Sequence, residues 1–79
     1  MSLSDSIKLI RQKTLLNQQE FADELKVGLT TVNRWEVGKS IPNLSAMKKI
    51  KAYCEKNGLS YELVETEWLS ARLEAKKRA

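Results

Sequence analysis

Residues 17–42 read NQQEFADELKVGLTTVNRWEVGKSIP, two short amphipathic segments joined only by Lys26, Val27 and Gly28. In the first segment Asn17 and Glu20 have the N-x-x-E spacing of a capping box, in which each side chain satisfies a backbone amide left orphaned at the helix start. Phe21, Ala22 and Leu25 then share one face, so the spacing predicts a helix over Gln18–Leu25. The second segment predicts a helix from Leu29 to Glu36, with Val32 and Trp35 three apart on its inner side. Gly38 ends it as a residue able to take positive φ. So short a connection forces the two helices to cross steeply, and the small Ala22 allows close approach. The second helix is thereby held out from the body. Leu29, Thr30, Asn33 and Arg34 occupy its leading turn and outer side.

Outward from this pair the apolar residues keep helical spacing, with one proline, three glycines and no β-branched run bounded by hairpin turns. The expected architecture is all-α with five helices. The first is expected from about Asp5 to Thr14, capped by Ser4 and Asp5, with Ile7 and Ile10 inward and Arg11 beside them. Ser2 and Leu3 are given no structural weight. The fourth starts near Asn43 after Pro42 and directs Leu44, Met47, Ile50 and Tyr53 or Cys54 inward until Asn57-Gly58 stops it. The fifth spans about Ser60 to Lys77 and buries Leu63, Val64 and Trp68. Its charged ending, residues 74–79, is expected to fray. The apolar stripe of Trp68, Leu69 and Leu73 either wraps the body or serves as a dimer contact.

The 79 residues make one expected domain, 1–79, that buries about 60–65% of its unfolded surface. Fourteen basic against ten acidic residues give +4 and a pI near 9.4, which leans toward a polyanionic partner. With one cysteine, Cys54, and no histidine, neither an internal disulfide nor a zinc site of ordinary ligand count can be assembled. No cofactor or metal is expected. No glycine loop cradles a phosphate and no carboxylate pair stands in an evident pocket, so no enzyme is expected. No stretch approaches the roughly 20 apolar residues that span a bilayer. A cytoplasmic setting and no membrane partner follow as expectations.

The outer face of the third helix has the chemistry of base readout. Asparagine pairs bidentately with adenine and arginine with guanine, while leucine or a threonine methyl rests on a thymine methyl. A merely solvated helix face carries the same residue types. The words IKLIRQ, NQQEFADELKV and TTVNRWEVGK, with Pro42 after them, decide between the two. Together they resemble the phage repressor and Cro-like helix-turn-helix domains, the XRE-type regulators, from about Ile7 to Met47.

That resemblance implies a compact lambda-repressor-like fold whose motif covers about residues 17–37. It implies base-facing roles for Leu29, Thr30 and Arg34, and a base or backbone contact for Asn33. Gln18, with Asn17 beside it, matches the helix start that holds a DNA phosphate. Gly28 through its amide, and Lys39, Ser40 and Asn43, match further phosphate contacts. Arg11 and Glu36 match a salt bridge tying the first helix to the end of the third. Three positions depart from the pattern. Lys26 and Leu15 stand where glycine is usual, and Gly28 replaces a serine or threonine cap.

The function implied is sequence-specific binding of double-stranded DNA by a transcriptional repressor or regulator, as a homodimer reading the major groove. The alternative is a protein-interaction module, or an antitoxin-like protein with a protein partner, that keeps the fold without reading DNA. Lys48, Lys49 and Lys51 either extend the phosphate surface or are simply solvated.

Overall fold

In the computed structural model, which describes the backbone of residues 2–78 and the side chains of residues 2–74, the chain forms five helices and, among the described residues, no strand. These are α1 (Leu3–Lys13), α2 (Gln18–Leu25), α3 (Leu29–Glu36), α4 (Leu44–Lys56) and α5 (Glu62–Arg78). The expectation that the 74–79 tail frays falls, for the side chains after Glu74, outside the described residues.

The start of α1 corrects the sequence reading. Ser2, not Ser4 or Asp5, caps the helix by accepting a hydrogen bond from the Asp5 amide at 3.2 Å. The helix therefore begins early enough to bury Leu3. Ser6, one turn before Ile10, is also buried and donates to Glu67 on α5. The capping box of α2 forms as a reciprocal pair, Glu20 amide to Asn17 Oδ1 at 2.8 Å and Asn17 amide to Glu20 Oε1 at 3.0 Å. Asn43 caps α4 through the Ala46 amide at 2.8 Å.

Around these caps one core assembles. Phe21 and Ala22 from α2, Val32 and Trp35 from α3, and Met47, Ile50 and Cys54 from α4 are buried together with Ile7 and Ile10. The Phe21 ring meets Tyr53 edge-on at 5.3 Å, an arrangement that aligns the positive ring edge with the negative face. The Tyr53 hydroxyl donates to Thr14 Oγ1, which donates in turn to the Arg11 carbonyl. Val64 and Trp68 close the core from α5, and the indole N–H donates to the buried Pro42 carbonyl at 2.6 Å. Burial pushes the Cys54 thiol above its ordinary range, as for a packing residue rather than a nucleophile.

Two expected core leucines lie outside instead. Leu44 is 57% and Leu63 46% exposed. At 100° per residue, the buried face of α4 is centred near Ile50 and that of α5 near Val64 and Ala71, and each leucine sits roughly 100–120° from that centre. Leu69 and Leu73 are exposed while Trp68 is buried, so the apolar stripe of α5 divides between core and surface.

Both departures from glycine take left-handed backbone, Leu15 at φ 61° and Lys26 at φ 57°. A Cβ in this region costs about 1–2 kcal/mol, part of which glycine gives back through its freer unfolded chain. Leu15 is 90% exposed and loses no packing on replacement. Leu15→Gly and Lys26→Gly are each expected to stabilise the fold by about 0.5–1 kcal/mol in urea denaturation. A loss of stability in both would mean that the unfolded-chain entropy outweighs the left-handed strain.

Candidate nucleic-acid interface

Helix α3 is anchored on one side only. Val32 and Trp35 pack inward, against α1 and α2, while Leu29, Thr30, Asn33 and Arg34 are all exposed. The sequence reading missed two neighbours, Thr31 and Val37. Val37 is 56% exposed and shares the face of Thr30 and Arg34, since positions 30, 34 and 37 follow the i, i+4, i+7 rule. Helical spacing alone would have found it. Thr31 faces an open groove between the start of α3 and the start of α4, lined also by Gly28, Ser40, Asn43, Ser45 and Lys49.

Behind the exposed face, Arg11 and Glu36 form a two-toothed fork. Arg11 Nε meets Glu36 Oε2 at 2.8 Å and Nη2 meets Oε1 at 2.9 Å. The remaining guanidinium nitrogen, Nη1, donates to the Leu16 carbonyl at 2.9 Å. The side chains are only 13% and 3% exposed, so the pair is buried from most of the solvent. The hydrogen bond to Glu36 raises the Arg11 pKa above its ordinary value despite opposing desolvation, so the guanidinium is charged at every physiological pH. The fork ties α1 to the last turn of α3.

Gln18 joins the fork from α2. Its Nε2 donates to Glu36 Oε1 at 3.1 Å, and its Oε1 accepts from Asn33 Nδ2 at 3.3 Å. Asn17 and Asn43 spend their side-chain oxygens on caps, which leaves the amide hydrogens of each as donors toward the outside. Gly28 begins α3 without a side-chain cap, so the first amides of that helix are offered by backbone alone. Lys39 and Ser40 are exposed beyond Gly38, whose φ of 80° turns the chain out of α3. Lys48, Lys49 and Lys51 are exposed on α4, and Lys49 Nζ reaches the Lys26 carbonyl at 3.3 Å. The surface thus combines a protruding polar helix with amide donors and lysines on its flanks, a distribution that suits a polyanion. Among the described residues no helix is long and apolar enough to cross a membrane.

Comparison with known proteins gives concordant results. A family model described as helix-turn-helix matches residues 7–55. The HTH-type transcriptional activator BcrR of Enterococcus faecalis is 30% identical over 53 residues, which cover 67% of this chain and 26% of that protein. The chain therefore spans about a quarter of the curated relative it matches. No solved structure matches.

Proposed function

Since this chain belongs to the helix-turn-helix family, we propose that it binds double-stranded DNA sequence-specifically as a transcriptional regulator, placing α3 in the major groove. The observation that carries this reading is the exposed outer face of α3, Leu29, Thr30, Asn33 and Arg34, on a helix locked from behind by Arg11 and Glu36. Arg34 reads guanine, Asn33 reads a base beside it, and Leu29 and the Thr30 methyl rest on thymine methyls. Asn17, Gln18, the Gly28 amide, Lys39, Ser40 and Asn43 hold phosphates on either side and set the register without carrying sequence information.

One short helix contacts too few base pairs for useful selectivity. The protein therefore acts as a homodimer on half-sites about 34–36 Å apart, one turn of B-DNA. Exposed Leu69 and Leu73 on α5 supply apolar surface for such pairing. Repression by occluding a promoter is the simplest outcome of such binding. The described chain serves as one binding unit, at work in the cytoplasm.

The test is a binding isotherm on a random duplex at rising salt. Lys39, Lys48, Lys49 and Lys51 together neutralise about three or four phosphates per protomer, so affinity should fall with a log–log slope of about −3 for each protomer bound. Association that is absent, or flat with salt, would leave the fold as a protein-interaction module.

A further inference from the structure

We infer that Glu36, acting through Gln18, fixes which way the Asn33 side-chain amide faces, and that this makes Asn33 the selector of adenine at one position of each half-site. The inference rests on the DNA-binding reading above and adds to it a specificity device that no single residue carries.

The argument is one of hydrogen-bond polarity. A guanidinium has only donors, so the two Glu36 oxygens held by Arg11 must accept. An ionised carboxylate has nothing to donate, and Gln18 can meet it only with the NH2 end of its amide, as the 3.1 Å contact from Nε2 shows. The carbonyl end of Gln18 is then turned toward α3, where it can only accept. Asn33 must therefore present Nδ2 to it, at 3.3 Å. Reversing either amide would bring two acceptors or two donors together. The charge of the buried fork is in this way relayed across α2 to a residue on the open face of α3.

What remains outside is the Asn33 Oδ1 and the second Nδ2 hydrogen. The major-groove edge of adenine offers an acceptor and a donor side by side, which a carboxamide satisfies in full. Guanine offers two acceptors there, so Oδ1 would face a second oxygen. A solvated asparagine turns between both orientations and loses that freedom on binding, whereas the relay removes it beforehand. Gln18 and Glu36 are positioning residues in this scheme, and Asn33 makes the contact.

The test uses the full chain, with Gln18→Met as the variant. Methionine keeps the length of the side chain and leaves the Arg11–Glu36 fork in place, but it cannot relay. Both proteins are first followed by NMR of the side-chain amides without DNA. The Asn33 Hδ2 protons are expected to be displaced from free-peptide positions in the native chain and to return to them in Gln18→Met. Free-peptide positions in the native chain would overturn the relay.

Both proteins are then used to select sites from a randomised duplex pool. The native chain should enrich a site with adenine at one position per half-site. Gln18→Met, which also loses a phosphate contact, should bind every duplex more weakly, but its adenine preference should fall about tenfold at that position alone. An undiminished preference in the variant, or a selected site with no such adenine, would overturn the inference while leaving DNA binding intact. Failure of the native chain to enrich any sequence would instead overturn the DNA-binding reading itself, and the NMR result would still decide whether the relay exists.

Discussion

Arg11→Ala is expected to cost about 3–5 kcal/mol of folding stability, because it leaves the Glu36 carboxylate, 3% exposed, without its counter-charge. Among the described residues, only the Gln18 amide would remain to solvate that carboxylate. A domain of this size has total stability near the lower end of about 5–15 kcal/mol, so the variant should be largely unfolded at modest urea concentration. The pair itself is worth much less than its breaking, since desolvation of both ions offsets most of their attraction. Replacing both partners by methionine should therefore recover most of the lost stability. Native-state hydrogen exchange should show the last turn of α3 opening first in Arg11→Ala, with the Leu16 loop, which also loses its Nη1 hydrogen bond. A cost below about 1 kcal/mol would place the pair among ordinary surface bridges.

Arg34→Ala is expected to lower affinity for the selected operator by about 1–3 kcal/mol, roughly fivefold to 150-fold, with the base preference lost at one position. The Arg34 side chain is exposed and, among the described residues, in no ion pair, so its removal leaves the fold intact and the loss can be read as recognition. Lys39→Ala is the control. A phosphate contact has no sequence dependence, so this change should weaken operator and random duplex alike and reduce the salt slope by about 1. Parallel losses in Arg34→Ala and Lys39→Ala would move Arg34 from base to phosphate.

Much of this molecule is legible in short windows of its sequence. The bounds expected for the second and third helices, Gln18–Leu25 and Leu29–Glu36, are those of α2 and α3. Their caps and their apolar spacing act within a turn or two of chain, where sequence distance and spatial distance nearly coincide. The errors arose where that equivalence fails. Leu3 carries no structural weight in the sequence reading, yet it is buried once the first helix packs on α5. Leu44 and Leu63 are apolar and helical, and a one-dimensional count cannot tell a core face from its edge. The missed Val37 is the opposite case, since helical spacing already places it beside Thr30 and Arg34.

By itself, the sequence determined the all-helical class, the helix-turn-helix pair, and the identity of the side chains on the outer face of α3, because these follow from periodicity, capping and turn chemistry over a few residues. Apart from the Arg11–Glu36 bridge, which the family resemblance implies, only the tertiary structure decided what stands behind that face. Glu36 meets Arg11 across 25 residues, Gln18 meets Glu36 across 18 and Asn33 across 15, and Trp68 reaches Pro42 across 26. Hydrogen-bond partners between helices depend on how close packing brings their backbones, and an amide has no preferred direction until a neighbour supplies a charge. The direction in which Asn33 faces is thus a property of three helices packed together, and no local stretch of chain contains it.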